Sequence, residues 1–426
     1  RSGKCPRAWA QIIVALLDKE DGSQRPLSIA GAMWRIGATC IVRQLAPWID
    51  KWAPLELAGG LPDRTAAYIH ARLAHDFDSK TTHQRIGAVF EDLSKAFDNV
   101  DVGQCLAIWR RLGAPYSLLQ LIRDFCRKAK RLFSCKGWCS PEWIHALHSL
   151  LQGCPFSTIL LGALRACWVK HVQAAVPEVR IGVFVDDRSL WAVGPHQHLI
   201  LTRALDASRA FDQKFSCHLN VEKTQLLGNT ARARADLADA TAAVGLGHKQ
   251  PTNKGKLLGL WYHFCEDSLK VTMDPKAITK CRHRLGLIKH VASSMRVRRI
   301  HVRTLALSQV LWAGAIAQPT RTELKQLRPS VQVALLRWDR PKGASQYLTW
   351  NVRLGPMDDP VFLSDRASLA SLLWFDRRRD LPGWHQALGP DFSTSSPFYW
   401  NPSVRNMILS KDWGYDPHQR FFSRLL

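Results

Sequence analysis

Two adjacent carboxylates, Asp186 and Asp187, stand inside residues 179–193, VRIGVFVDDRSLWAV. Val179, Ile181, Val183 and Val185 alternate with Arg180, Gly182 and Phe184, the period-two signature of a half-buried strand. A strand, a turn with two acids and a returning strand would hold paired oxygens at a hairpin tip, where a hard divalent cation could bind. A solvated surface hairpin with an Asp-Asp turn carries the same local wording, so this stretch alone leaves both readings open. A third acid, Asp92, follows the apolar run 86–90 (IGAVF), which reads as a buried strand. Strand ends facing a crevice are where sheets place active groups. If the two elements are neighbours, Asp92 and Asp186 could hold two Mg²⁺ ions roughly 3.5–4 Å apart, which would activate a 3′-hydroxyl and stabilise a leaving pyrophosphate. Phosphoryl transfer needs mainly such positioning and charge neutralisation.

A second group invites metal chemistry: Cys126, Cys135, Cys139, His145 and His148. Two cysteines and two histidines suit a Zn²⁺ site, but these spacings are not the common ones, and zinc is the minor reading. The eleven cysteines form no short-repeat framework and read as reduced intracellular thiols.

The loudest compositional signal is charge. Lys and Arg number 59 against 35 acids, a net of +24, and 46% of residues are apolar, so the chain is folded and basic. Such an excess points to a polyanionic partner, most often nucleic acid, less often an acidic membrane surface. Apolar runs such as 12–17 and 311–317 are far too short to span a bilayer. No signal peptide is visible, and a start at Arg1 rather than Met suggests a processed product or a fragment.

The elements that must position the acids follow in order. The pattern predicts a strand over 11–17, a polar turn flanked by Lys19 and Arg25 that would suit a phosphate clamp, and a helix over 32–49. Beyond the strand ending at Asp92, helices are predicted over 103–112 and 117–132. A Gln152-Gly153 turn leads to a strongly apolar helix with Ser157 as N-cap. The acidic hairpin comes next, then a helix over 199–215, a loop passing into a strand near Lys223, and a strand over 256–262 that could begin another hairpin. This order describes an α+β layer, an antiparallel sheet with helices on one face. From Lys276 the text turns helical, and residues 276–342 hold fifteen Lys or Arg against Glu323 and Asp339. That concentration favours a phosphate-tracking groove over a merely solvated face.

Taken together, the motifs resemble the reverse transcriptases of non-LTR (LINE-type) retrotransposons. RPLSI and LAGGLPDRT match the fingers, EDLSKAFDNV motif A and LLQGCPFSTILLGAL motif B. FVDDRSL is similar to motif C, LNVEKTQLL to motif D and KLLGLWY to motif E. The resemblance implies a right-hand polymerase: fingers over 1–85, an RRM-like palm over 86–265 with an insertion near 103–148, and a basic helical thumb over 270–342. It implies RNA-directed DNA synthesis from dNTPs on an RNA template and DNA primer, with Mg²⁺ (or Mn²⁺) held by Asp92, Asp186 and Asp187. Asp186 ranks first, on the expectation that it shares a strand face with Gly182, whose missing side chain leaves room for metal and primer end. Lys19 and Arg25 would hold the triphosphate, Gln152 and Gly153 would touch nucleotide and template, and Lys223 would be general acid for pyrophosphate. Phe97, five residues after Asp92, would pack where a ribose 2′-hydroxyl must go and so select deoxynucleotides.

Four wordings depart from the family. Phe184 stands where Tyr is frequent, Arg188 after the acid pair could compete for the carboxylates, and Glu91 adds charge where an apolar residue is commoner. Motif B also has Phe156 and Thr158 for Leu and Pro. None removes a metal ligand. An intron-maturase-type reverse transcriptase, or a dead palm kept as an RNA-binding module, are the alternatives. The LSKAFD and QGCPFS wording favours the retrotransposon branch. Residues 343–426 lie outside the resemblance; they are Trp-rich and contain no Glu, so no ribonuclease H domain is expected, nor an endonuclease ahead of the fingers. The compartment implied is intracellular, nucleus or cytoplasm or both, with no membrane and no identifiable protein partner.

Overall fold

The computed structural model describes residues 3–18, 22, 24–62, 64–78, 84–145, 149–313, 316–317 and 319–337, with a few short stretches beyond. It divides into two compact units, residues 1–69 with 84–252, and residues 70–83 with 253–426.

In the first unit, β1 (Gln11–Asp18) and β2 (Gln24–Ala30) form an antiparallel hairpin with Leu17 opposite Arg25. The helix predicted over 32–49 is two helices, α1 (Ala32–Gln44) and α2 (Ala46–Trp52), parted at Leu45. Pro47 has no N–H to continue the ladder, which accounts for the break. Helix α3 (Ala67–Asp78) begins in this unit, and its residues from His70 belong to the second. Strand β3 (Ile86–Glu91) is buried along its whole length. After α4 (Ala96–Asn99) comes α5 (Val102–Arg111), whose first free N–H groups are capped by the Asp101 carboxylate. Helix α6 (Tyr116–Lys128) ends four residues before its predicted limit. Residues Lys130–Cys135 are instead strand β4, parallel to β1 with Ile13 beside Leu132. Short strands β5 (Trp138–Cys139) and β6 (Ile144–His145) also pair with β4.

Helix α7 (Pro155–Ala175) is apolar on all sides and buried, as a core helix should be. Its N-cap is Cys154 rather than Ser157, because Pro155 presets the first helical φ and needs no N–H partner. Ser157 is buried within the first turn. Strands β7 (Arg180–Phe184) and β8 (Asp187–Val193) form the acidic hairpin. Helix α8 (Gln197–Phe215), strand β9 (Gln225–Gly228) and helix α9 (Ala231–Thr241) complete the unit. The sheet order is β7-β8-β3-β9, every pair antiparallel, with α8 lying on β3 and β8 and α7 against α8. This is the expected palm-like layer.

In the second unit, β10 (Lys254–Leu257), β11 (Leu260–Phe264) and β12 (Leu269–Met273) are antiparallel neighbours. The strand predicted over 256–262 is therefore a hairpin, turning at Leu258 and Gly259 with φ of 46° and 87°. His70 and Phe77 pack on it through Tyr262 and Phe264. Helices α10 (Lys276–His290), α11 (Met295–His301), α12 (Ser308–Leu311) and α13 (Arg321–Leu336) build a separate apolar core around Leu285, Val302, Leu307, Leu327 and Val331. One of the two acids in this basic stretch, Glu323, is used as the capping-box partner of Thr320. Strands β13 (Trp413–Asp416) and β14 (Arg420–Ser423) pair antiparallel; the remainder of the Trp-rich tail lies almost wholly outside the described residues. Among the described residues, no helix is long and apolar enough to cross a membrane.

Candidate active site

The ladder between β3 and β8 ends at the pair Glu91–Arg188. The next residues are Asp92, just past the end of β3, and Asp187, the first residue of β8, so both lie at one end of the sheet's two inner strands. Asp186 sits beside them in the two-residue turn Val185-Asp186, closed by the pair Phe184–Asp187. Val185 has φ 61°, a left-handed conformation rare for a β-branched residue. Such a residue costs on the order of 1–3 kcal/mol and persists only where its surroundings impose it. The surroundings are the LAGG segment: Ala58 N–H donates to the Val183 carbonyl, and Val183 N–H donates to the Glu56 carbonyl, both at 2.8 Å. A Cβ on Gly59 would lie 2.6 Å from the Val185 nitrogen, so only glycine lets this segment lie against the acidic turn. Sequence reasoning placed LAGG in the fingers and missed that buttress.

The three acids share one electrostatic environment. Partial burial first, then the neighbouring Asp186 and Asp92 charges, push the Asp187 carboxyl up to about 7. Repulsion of this kind is what a bound divalent cation relieves. Among the described residues, no three acids, histidines or cysteines form a ready-made metal cage. A Mg²⁺ ion needs none, since it is commonly bound through one or two carboxylates together with substrate phosphates and water. The donor set therefore fits that metal class.

Three expectations about this hairpin are corrected. Gly182 does not leave room for a primer end: a Cβ there would meet Ile69 Cγ2 and Ser189 Oγ, each at 2.7 Å, so its role is close packing. The strand alternation also stops at Phe184, because Val185 and Asp186 are the turn. Nor does Arg188 compete for Asp92, Asp186 and Asp187. Its guanidinium is buried, forks onto both Asp212 oxygens at 2.8 and 2.7 Å, and lies 2.7 Å from Glu91.

The other sequence-predicted residues fall into two groups. Asn220 N–H donates to the Asp92 carbonyl at 2.7 Å, and Ser94 N–H to the His218 carbonyl at 2.8 Å, strapping residues 218–220 along the acid-bearing loop. Lys223 follows in the next turn, its side chain exposed. The second group surrounds the Gln152-Gly153 turn. The Gln152 carbonyl accepts from Ser28 N–H at 2.7 Å. Gly153 has φ 109°, and a Cβ there would lie 2.5 Å from the Ser28 carbonyl oxygen, so glycine is obligatory. The turn is thus fastened to β2, three residues from the exposed Arg25. Phe97, half-buried on α4, is tied to the same approach by Leu150 N–H donating to its carbonyl at 2.7 Å. Lys19 lies outside the described residues.

The zinc reading finds no support in the described part of its group. Of the four residues that would make a Cys2His2 set, Cys135 and Cys139 sit at one end of β4, whereas His145 pairs with Lys130 at the other end. Cys135 accepts from Gln24 at 3.5 Å. His148 lies outside the described residues.

An antiparallel sheet with acids at one end of its strands, a hairpin with Asp186 in its turn and Asp187 opening the returning strand, and helices on the sheet define the palm of a right-hand polymerase. The chain belongs to the reverse transcriptase (RNA-dependent DNA polymerase) family, a class of nucleotidyltransferases, whose model matches residues 17–261. Among solved structures, Candida tropicalis telomerase in complex with the TWJ fragment of telomeric RNA is similar over 94% of this chain and 65% of its own, with TM-score 0.51 and 11% identity. The apo telomerase of Candida tropicalis is similar over 93% and 68%, with TM-score 0.51 and 10% identity. A third, Candida tropicalis telomerase truncated from its C-terminal domain, matches over 62% of this chain and 55% of its own, with TM-score 0.46 and 12% identity. Identities this low speak to fold alone. No curated protein matches the chain.

Proposed function

We propose that this chain is the reverse transcriptase of a non-LTR retrotransposon, extending a DNA primer with dNTPs on an RNA template. The observation that carries the reading is the convergence of Asp92, Asp186 and Asp187 at one end of the sheet's strands, where their charges are coupled. Two divalent cations, when bound by these acids, would neutralise charge on the attacking 3′-hydroxyl and the leaving pyrophosphate. The protein's own side chains do the rest. Arg25 and Lys19 hold the triphosphate, and Gln152 and Gly153 seat the nucleotide against the template. Phe97 fills the space a 2′-hydroxyl would need, and Lys223 gives a proton to the departing pyrophosphate. The basic helices from Lys276 form the thumb and grip the template–primer by its backbone. The telomerase likeness supports the fold; the LSKAFD and QGCPFS wording supports the retrotransposon branch. The test is extension of a DNA primer on an RNA template with dNTPs and Mg²⁺, comparing wild type with Asp186→Asn. Extension by the wild type alone is expected. No wild-type extension would sink the enzyme reading, and equal extension by both would sink the site assignment.

A further inference from the structure

We infer that the buried cluster Glu91–Arg188–Asp212 is a positioning device that fixes the spacing of Asp92 and Asp187 from beneath the sheet. This rests on the polymerase reading and adds residues acting through that same site. Glu91 is covalently next to Asp92 and Arg188 next to Asp187, and the two are the last ladder partners of β3 and β8. Because side chains alternate across a strand, the acids that face the reaction have this cluster on the opposite face.

The cluster bolts both strands to the helices. Asp212 belongs to α8, and the bidentate fork from Arg188 leaves the guanidinium little freedom. Ser208, one turn earlier on α8, donates to Glu91 at 3.3 Å and accepts from the Trp168 indole N–H of α7 at 3.0 Å. The Trp168 ring lies under the Arg188 guanidinium, 4.7 Å from its carbon to the ring centroid. A second fully buried guanidinium, Arg165 of α7, donates to Cys217 at 3.7 Å, so two cations accompany two acids.

Stability is a poor reason for this arrangement. A buried ion pair is often no better than well-packed apolar residues of similar volume. What a planar five-donor fork adds is geometry. Geometry is also what the chemistry needs, since a misplacement of about 1 Å at a reacting group costs on the order of 10²-fold in rate. The Arg188 charge is engaged by Glu91 and Asp212 rather than by the acid trio, so its effect on the trio is spatial. Two departures from the family wording, Glu91 and Arg188, thereby explain each other.

The test uses the full chain with oligo(dT)-primed poly(rA), dTTP and titrated Mg²⁺. Two variants are compared with wild type: Arg188→Lys, which keeps the charge but loses the fork, and the triple Glu91→Leu/Arg188→Met/Asp212→Leu, which replaces the cluster by apolar packing. Both are expected to lower kcat roughly 10- to 100-fold and to raise the Mg²⁺ concentration giving half-maximal rate. The Kd for template–primer should be unchanged, as should the KM for dTTP. A folded variant of either kind with wild-type kcat and Mg²⁺ requirement would overturn the inference while leaving the polymerase reading intact. A wild type that binds template–primer without extending it would overturn both.

Discussion

Asp187 shows how much chemistry a single environment can impose. Its carboxyl titrates near 7 in the folded protein because it is partly buried beside Asp186 and Asp92, whereas an unfolded chain releases that proton near 3.9. Between those values the folded state binds more protons than the unfolded one, so metal-free stability is lost as pH rises from about 4 through 7. Asp187→Asn is expected to raise the metal-free melting temperature at pH 8 by about 2–4 °C, on the scale of 1 kcal/mol in a domain of this size, while abolishing extension. Thermal melts with and without Mg²⁺ check this, and a lower melting temperature would contradict the charge coupling. Gly153 offers a second measurement. With φ 109° and no room for a Cβ, Gly153→Ala should cost on the order of 1–3 kcal/mol. It should also raise the KM for dNTP, read by denaturant titration and steady-state kinetics, by detaching the turn from Ser28. The three acids were legible in the sequence because their motifs carry a local pattern of apolar strand and polar end. The glycine buttress at Gly59 was not, because only a tertiary contact shows which backbone it touches.

At the scale of elements, the breaks were harder to read than the elements themselves. The helix over 117–132 was overextended because Leu132 continues the helical spacing, but Lys130–Cys135 finds a parallel partner in β1, more than a hundred residues earlier. No local pattern reports such a partner. KLLGLWY, read as a strand that could begin a hairpin, already contains the turn, because Leu258 is left-handed inside the apolar run. Within the second unit, His70 hydrogen-bonds Tyr262 from a fully buried position, and burial pushes its imidazole down to about 3. The unfolded chain takes up that proton near 6.5. Its contribution to stability is therefore complete above that pH and lost as pH falls toward 3. The His70→Leu variant should show a flatter decline of melting temperature than wild type between pH 6.5 and 4. A parallel decline in the two proteins would reject the assignment.

For the whole molecule, the distribution of charge makes a testable statement about nucleic-acid binding. The stretch 276–342 carries more than half of the net +24, and the exposed Lys276 and Arg296 lie on α10 and α11. Each neutralised phosphate contributes about 0.7–0.9 to the slope of log affinity against log salt. Lys276→Ala with Arg296→Ala should therefore reduce that slope by roughly 1–2 for template–primer binding, with extension at saturating substrate little changed. An unaltered slope would remove these two side chains from the nucleic-acid path. The Glu91–Arg188 ladder pair has a consequence on another timescale. Losing Arg188 alone strands the buried Glu91 and Asp212 carboxylates, a penalty of about 3–5 kcal/mol, so evolution can leave this state only by changing the acids with it. Relatives of this chain should therefore fall into two populations, with the arginine and its two acids all present or all replaced by uncharged residues, and an arginine lost alone should be rare. That covariation would mark a lineage within the family even where the motifs themselves do not differ.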